Sequence, residues 1–387
     1  MSALMTRRGM LKAGGAVVLL VAGGAVWRAA DQGVFTAGRG PAYEPWGGWR
    51  DGGGPLALVR AAILAANPHN SQPWLFKITE SRVDLFADRR RNLGMIDPDL
   101  REMHIGIGCA LENLLVAARA NGYDAQVTLF PDPAEVTLAA RVDLSAGEPA
   151  DSALYAAVPH RHTNRGPYAA DRAVGADVLA DLTALGDDTA VRVFWFASDP
   201  QRRLLGALTV DATEAIVADR EQSQDSGKWL RFDWDEVQEK RDGLTVDAQG
   251  DSAVFRAVAK ILPPLSLERI DQFWLAATRD THVATAPAFG IIAIRNGRDN
   301  AQRIAAGRLW QRIQLSGIAR GLAMQPLNQA TERADREVSL GIAPVFGPRL
   351  RDLLGDPDWH GVMPFRLGYP RRPALPSPRR PAEAVIV

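Results

Sequence analysis

The order of apolar and polar positions predicts helices in alternation with short strands. Apolar residues recur at helical spacing from Leu56 to Ala66, and the pattern stops at Asn67-Pro68, since the residue before a proline disfavours the helical conformation. Short apolar or alternating runs predict strands. The first series is helix, strand, strand, long helix, strand and strand, at 56–66, 74–78, 83–87, 103–122, 126–130 and 136–142.

A second series repeats part of this order. It is helix, strand, strand and long helix, at 174–185, 190–196, 286–294 and 300–321. The two long helices align with Gly108 on Gly307 and Gly122 on Gly321, and glycines at such places allow close packing and helix ends. Two buried helices can share small residues by chance, but the aligned glycines favour a repeat. Helices mixed with short strands predict an α+β fold.

The first 30 residues have the pattern of an export signal. Arg7-Arg8 precede a short, glycine-interrupted apolar stretch, Ala13–Trp27. A membrane-spanning helix needs about 20 apolar residues, so this stretch better suits a twin-arginine (Tat) signal. The alternative is a basic N-terminus before a buried helix. We expect export to the periplasm or the extracytoplasmic face of the membrane; with no clear cleavage site after Trp27, attachment through this segment stays open.

Residues 31–55 are rich in glycine and proline and include Gly52-Gly53-Gly54. This composition predicts a linker, either a tether or a loop lying on the surface. The folded body is therefore expected to begin at about Leu56. It divides into halves at 56–150 and 151–387 if the repeat is real.

Composition narrows the classes of function. The 387 residues include 45 Lys and Arg and 45 Asp and Glu, so the formal net charge is zero. A nucleic-acid-binding protein usually carries a basic surplus, so no nucleic-acid partner is expected. Cys109 is the single cysteine, which excludes an internal disulfide, and the six histidines lack metal-ligand spacings, so no metal site is expected.

Four polar strings are candidates for ligand binding. Residues 67–74 pack amides and two prolines into a stiff loop between a helix and a strand. Residues 161–165 place two arginines and a hydroxyl at alternating positions, which share one face of an extended segment and suit a phosphate. Residues 325–329 form a turn after the second long helix, and 376–381 form an Arg/Pro tail. Taken singly, each string is equally typical of an ordinary loop or tail.

Together the strings resemble the nitroreductase family of FMN-dependent oxidoreductases. The Asn-Ser-Gln-Pro-Trp and Arg-x-Thr-x-Arg strings, the helix ending in Gly-Leu and a late Arg before Pro match that family's pattern. The long single chain resembles the Acg-type branch, in which two such halves are fused. The resemblance covers about 56–387. It implies a nitroreductase-like fold, with two related halves forming a pseudo-dimer and mixed or antiparallel sheets packed by long central helices.

The two halves carry different parts of one flavin site. The first half has only the amide-rich loop, and the second has the other strings without a second copy of that loop. By the resemblance, the arginines bind the FMN phosphate, the loop approaches from the other half, and the turn offers N–H groups near flavin N5, where a donor stabilises the reduced flavin. The residues implied are Arg161, Thr163, Arg165 and Arg379; Asn67, His69 and Asn70; and Pro326, Leu327, Asn328 and Gln329.

The resemblance implies an enzyme that passes electrons from a donor through flavin N5 to a small acceptor, a nitroaromatic compound or a quinone. NAD(P)H is one expected donor, and a membrane quinol or redox protein is another, because nicotinamide nucleotides are scarce outside the cytoplasm. The alternative is an FMN-storage protein with little turnover, if the predicted insertion at 218–260 lies over the flavin as a lid. The joined halves complete one site, so a monomer suffices.

Overall fold

The structure, a computed structural model, describes residues 23–387. Within that part the predicted α+β class is confirmed, with two four-stranded antiparallel sheets and a long helix beside each. Most of the predicted export signal lies outside the described residues, and the chain is helical over 23–31. None of the helices in 23–387 combines the length and apolar character needed to cross a membrane.

The first half contains two short helices, one long helix and one sheet. Its elements are α1 Glu44–Gly47, α2 Pro55–Ala62, β1 Trp74–Thr79, β2 Arg82–Ala87, α3 Arg101–Ala120, β3 Tyr123–Leu129 and β4 Leu138–Ala146. β1 and β2 form an antiparallel pair with Trp74 opposite Ala87. Each predicted element of this half is confirmed to within a few residues.

The second half contains the other sheet and a large helical insertion. Its elements up to the insertion's end are α4 Ala153–Ala157, α5 Ala176–Thr183, β5 Val191–Phe196, α6 Asp199–Ala218, α7 Arg220–Gly227, β6 Leu230–Arg231, α8 Trp234–Lys240, β7 Leu244–Thr245, α9 Ala253–Ile261 and α10 Leu267–Ala277. Those that follow are β8 Ala288–Ile294, α11 Asn300–Ala319, β9 Ala323–Pro326, α12 Gln329–Leu340, α13 Phe346–Leu354 and β10 His360–Gly368.

Both sheets have the same strand order. The first runs β1-β2-β4-β3 and the second runs β5-β8-β10-β9. When β1 is matched to β5 and β2 to β8, the long helix follows the second strand in each half, and the remaining strands occupy equivalent places. The halves therefore share one layout, which supports the predicted repeat. The second half differs by insertions between β5 and β8 and between β9 and β10.

The long helices α3 and α11 cross at a pair of glycines. A Cβ atom on Gly108 would lie 2.1 Å from the carbonyl oxygen of Ile304, and one on Gly307 would lie 2.0 Å from that of Ile105. Each glycine thus faces the carbonyl one turn before the other glycine, as a pseudo-twofold axis requires. Residues without a Cβ let the two backbones approach this closely, so the predicted packing role of these glycines is confirmed.

The prediction that the folded body begins at about Leu56 is wrong. Tyr43, Trp46 and Trp49 of the Gly/Pro-rich segment are buried and belong to the main hydrophobic core. The Trp46 Nε1–H donates to the carbonyl of Ser377 at 2.8 Å. Large aromatic side chains bury much apolar area, and here they hold residues 42–49 against the body despite the glycines around them.

Trp46→Phe is expected to lower the free energy of unfolding by about 1–2 kcal/mol, because phenylalanine lacks the indole hydrogen bond and fills less of the site. Denaturant unfolding measures the change. Trp27→Phe is the matched control, since the Trp27 side chain is 66% exposed in the same N-terminal region. If both variants are as stable as the unaltered chain, residues 42–49 are not anchored as described.

Candidate functional site

A cavity of about 500 Å³ is walled by both halves and by the insertion. Sites for cofactors and small ligands commonly have volumes of roughly 300–1,000 Å³. The first half contributes the turn after α2 and the start of α3, and the second contributes the segment around residue 165 and the turn before α12. The predicted site residues that line the cavity are Asn67, His69, Thr163, Arg165, Pro326, Asn328 and Gln329.

The first-half loop adopts an unusual backbone. His69, Asn70 and Gln72 have φ angles of 48°, 55° and 51°, in the left-handed region that side-chain-bearing residues rarely enter. The Asn67 amide stabilises this conformation: its Oδ1 accepts the Gln72 N–H at 2.8 Å, and its Nδ2 donates to the Ala65 carbonyl at 3.1 Å. Asn67 therefore lies on the cavity wall, but the hydrogen bonds of its amide stabilise the loop.

His69 joins this loop to the insertion. Its Nε2 lies 3.0 Å from the Oγ of Ser226 on α7. Burial and the nearby charge of Arg165 lower the pKa of His69 to about 4, so the ring is neutral at neutral pH. The charge effect shows that His69 of the first-half loop and Arg165 of the second half lie close together.

Arg165 is a cation in the wall that no carboxylate balances within the described residues. Its Nη1 donates to the Ala248 carbonyl at 3.1 Å. Desolvation lowers the pKa of Arg165 to about 10, which leaves the guanidinium charged at neutral pH. Thr163 lines the same cavity. A desolvated guanidinium beside a hydroxyl is an arrangement that a phosphate would satisfy by charge-assisted hydrogen bonds.

Asn70, Arg161 and Arg379 do not line the cavity. Asn70 Nδ2 donates to the Pro378 carbonyl at 2.9 Å, and its Oδ1 accepts from Arg379. Arg161 Nε donates to the Leu64 carbonyl at 3.2 Å. Carbonyl groups just beyond α2 accept from both arginines, so the structure does not bring the predicted phosphate ligands Arg161 and Arg379 to the cavity wall, nor Asn70 of the first-half loop.

Trp46 contacts the two displaced arginines. Its ring centroid lies 5.9 Å from Cζ of Arg161 and 4.9 Å from Cζ of Arg379, within cation–π range. Burial lowers the pKa of both guanidinium groups. The ring belongs to the segment predicted as a linker, so the sequence analysis did not expect an aromatic side chain over these arginines.

The turn before α12 offers side-chain acceptors and some of its backbone N–H groups. The Leu327 N–H donates to the Pro364 carbonyl at 2.8 Å and the side chain is buried, so the prediction that Leu327 presents a free N–H is wrong. Asn328 and Gln329 stand at the start of α12, where the first N–H groups have no partner inside the helix. Asn328 Oδ1 and Gln329 Oε1 are buried and without hydrogen-bond partners in the described part of the chain.

Two glutamates of the wall were not among the predicted site residues. Glu102 of α3 and Glu332 of α12 are buried, line the cavity and share a side-chain hydrogen bond. Burial raises the pKa of Glu102, and burial together with the adjacent Glu102 raises the pKa of Glu332 well above its usual value. Two interacting buried carboxyl groups hold a proton to higher pH than free carboxyl groups do.

One arginine faces this carboxyl cluster. Arg101 Nε donates to Asp335 at 2.7 Å, and its Nη2 donates to Glu102 at 3.3 Å. Asp97 accepts the Glu102 and Met103 N–H groups at the start of α3, and burial and Glu102 raise the pKa of Asp97 to about 7. The carboxyl groups outnumber the cation, which explains why a proton stays in the cluster.

The contribution of this carboxyl cluster to stability is expected to fall as pH rises from about 4.5 to 7, whereas His69, whose pKa is lowered by burial, contributes in the opposite direction over much of this range. Above the ordinary glutamate pKa of 4.5 the unfolded chain has released a proton that native Glu332 still holds, and Asp97 keeps its proton to about 7. Unfolding then releases protons, so higher pH favours it. Relative to the unaltered chain, Glu332→Gln should make the slope of the free energy of unfolding against pH more positive by up to about 1.4 kcal/mol per pH unit, the value for one proton.

Denaturant unfolding across this pH range measures the slope. Glu135→Gln is the control, because hydrogen bonds from Thr137 lower the pKa of exposed Glu135 and move its titration below the window. An unchanged slope in Glu332→Gln would show that the cluster holds no proton.

The insertion forms a wall of the cavity with aromatic side chains. Phe232, Phe255, Phe273 and Trp274 line it, and so do residues as far as Ala277. The predicted insertion of 218–260 is therefore too short, since α10 also contributes.

The chain is similar to proteins of Mycobacterium tuberculosis strain H37Rv. It is 33% identical over 143 residues to one named "Putative NAD(P)H nitroreductase", with 33% of this chain and 42% of that protein covered. It is 36% identical over 119 residues to "Putative NAD(P)H nitroreductase acg", with 29% and 35% covered. The chain thus spans less than half the length of these relatives. No family model matches it.

Solved structures show a weaker likeness. A nitroreductase from Anabaena variabilis superposes with a TM-score of 0.41 at 12% identity, covering 75% of this chain and 69% of that one. The FMN-dependent nitroreductase NfnB of Mycobacterium smegmatis, solved with NADPH, gives a TM-score of 0.36 at 15% identity, covering 60% and 91%. Likeness at this level does not by itself carry a functional conclusion.

Proposed function

We propose that this chain is an FMN-dependent oxidoreductase of the nitroreductase type, with one FMN between its two halves. The sequence strings and the partial similarity to proteins named as NAD(P)H nitroreductases support the class. The observation that carries the proposal is the cavity itself. It has about the volume of a cofactor site, an unbalanced guanidinium at Arg165 and partnerless amide acceptors at Asn328 and Gln329.

The donor and acceptor set fits FMN. Arg165 and Thr163 would hold the phosphate, because they bring a guanidinium and a hydroxyl from one short segment to the cavity. Asn328 and Gln329 would meet the polar edge of the flavin ring, which carries both N–H donors and oxygen or nitrogen acceptors. The aromatic insertion would cover the ring and exclude water, which strengthens these electrostatic contacts.

FMN, when bound, supplies hydride or electron transfer, and the protein supplies orientation and protons. A quinone or nitro group that gains electrons must also gain protons. The Glu102–Glu332 pair holds a proton at the cavity wall, so these side chains can deliver a proton to the acceptor. We propose a quinone or nitroaromatic compound as the acceptor and NAD(P)H or a quinol as the donor.

The absorption spectrum of the purified full-length protein is the first test. We expect a yellow protein with flavin bands that bleach when NADPH, NADH or a quinol is added without oxygen. A protein that is colourless and takes up no FMN would overturn the proposal. Bound FMN that no donor reduces would favour the storage alternative, in which the insertion blocks access.

We further propose that the protein is exported and works as a monomer of two related halves. The twin arginines at Arg7-Arg8 support export, and the walls contributed by both halves of one chain support the monomer. Cell fractionation of the unaltered chain and of an Arg7→Lys, Arg8→Lys variant tests the proposed export. Light scattering of the purified protein tests the oligomeric state.

A further inference from the structure

Helix α9 exposes its apolar side to the surface, which is the reverse of an ordinary surface helix. Its Val254 and Val258 side chains, and Leu262 just after it, are 76%, 49% and 55% exposed. Its Lys260 is buried and donates to Asp247 at 2.6 Å. An amphipathic helix on a water-facing surface normally turns its apolar side inward. The apolar side of α9 therefore lacks a covering element within the described residues.

The same apolar surface forms the mouth of the cavity. Phe255, Leu265 and Phe273 are 47%, 44% and 54% exposed, and all three also line the cavity. The rings of Phe255 and Phe273 meet edge to face with centroids 6.4 Å apart. We call the exposed side chains of Val254, Phe255, Val258, Leu262, Leu265 and Phe273 the rim patch.

The two cations near the rim patch are paired. Residues 253–265 contain no aspartate or glutamate, and their Arg256 and Lys260 both pair with Asp247, at 3.4 and 2.6 Å. A surface of exposed apolar side chains whose neighbouring cations are already paired suits the interfacial layer of a bilayer. Exposed apolar patches of this kind mark interaction sites in soluble domains.

The N-terminal part of the described chain packs against α9, the helix that carries much of the rim patch. Lys260 Nζ of α9 donates to the Gly33 carbonyl at 3.2 Å. Val26, Trp27 and Phe35, on either side of that contact, are 64%, 66% and 70% exposed. The preceding sequence continues as apolar residues back to Ala13, behind basic residues. Described residues just after the stretch of membrane-signal composition thus pack on the buried side of the helix whose other side carries the rim patch.

We propose that the rim patch docks on the surface of a lipid bilayer and turns the mouth of the cavity toward it, so that a lipid-soluble substrate enters directly. The docking stands apart from the function proposed above. The substrate class, a long-tailed quinone or quinol, rests on that function. A second copy of the chain on the same patch would close the mouth, which argues for a bilayer as the occupant.

A fluorescent label at position 258 tests the docking. Cys109 is buried, so an environment-sensitive thiol label on the full-length Val258→Cys variant reports from the introduced residue. Val338→Cys is the matched control, because Val338 is 60% exposed but does not line the cavity. With vesicles containing an anionic phospholipid, we expect a blue shift at position 258 and none at position 338.

Each other outcome contradicts the docking. No shift at position 258 shows that the patch does not meet lipid, even if the N-terminal segment holds the protein on the vesicle. Equal shifts at both positions show unspecific insertion. A shift that appears without vesicles when the protein is concentrated shows that a second copy covers the patch.

The substrate class has a separate test in the FMN-loaded protein. Val254→Glu with Val258→Glu should raise the KM for a long-tailed quinone in vesicles at least ~10-fold, since two charges oppose contact with the anionic surface. KM for a short-chain, water-soluble quinone should not change, and Val338→Glu should change neither. Equal effects on both quinones overturn the entry route; absence of all turnover refutes the proposed function while the label result still decides the docking.

Discussion

Replacing Arg165 with alanine is expected to weaken FMN binding about 10- to 100-fold. The guanidinium lies in the cavity wall, is partly desolvated and is balanced by no carboxylate in the described structure. Its contact with a phosphate would therefore be charge-assisted and worth about 1.5–3 kcal/mol, or roughly one to two powers of ten in affinity. Flavin fluorescence during titration of the FMN-free protein measures the dissociation constant.

Three further variants make this result specific. Arg165→Lys keeps the charge but loses the planar fork, so affinity should fall less than in the alanine variant. Arg371→Ala removes an exposed arginine paired with Asp171 and should leave affinity unchanged. Arg161→Ala should act mainly on stability, because Arg161 holds a backbone carbonyl behind the wall. If Arg165→Ala binds FMN normally while Arg161→Ala does not, the phosphate lies at the displaced arginines instead.

Gly307→Ala is expected to destabilise the protein by about 3 kcal/mol or more. The added Cβ would lie 2.0 Å from the carbonyl oxygen of Ile105 and 3.0 Å from Cα of Gly108. These neighbours are backbone atoms of a long helix, so no side-chain rotation relieves the clash, and overpacking of this kind costs at the upper end of the usual range. The two helices must separate, and the cavity walls they carry separate with them.

Denaturant unfolding and FMN titration measure both consequences. Gly47→Ala is the matched control: a Cβ there meets no atom within 4 Å, so the variant should be as stable as the unaltered chain or slightly more so. A Gly307→Ala protein that unfolds at the same denaturant concentration as the control would mean that α3 and α11 do not cross at these glycines.

Local patterns predicted the elements from α2 to β4 and also α5, β5, β8 and α11, but they left β9, β10 and most helices of the second half unassigned. The run that became β1 and the run that became β2 were recognisable because side chains alternate across a strand, and α3 and α11 because apolar residues recur at helical spacing. Aligned glycines even indicated where the long helices cross. These signals are short-range properties of the chain, so they survive without any knowledge of the neighbours.

The segment before α2 shows where composition misled. Its glycines and prolines describe backbone turns, but its position is decided by Tyr43, Trp46 and Trp49, which find partners far along the chain. The insertion behaves in the same way. Its aromatic residues were visible in the sequence, whereas their place at the mouth of the cavity follows from packing against other segments of the folded chain.

The sequence by itself determined the elements from α2 to β4, the repeated long helices and the polar strings on which the flavin hypothesis rests. Only the tertiary structure decided which members of those strings reach the cavity: Arg165 does and Arg161 does not, although both belong to one string. It also brought together Glu102 and Glu332, and no sequence motif indicates that these two side chains share a proton. The physical reason is that desolvation and charge balance depend on what surrounds a group, and in a folded chain those surroundings come from residues distant in sequence.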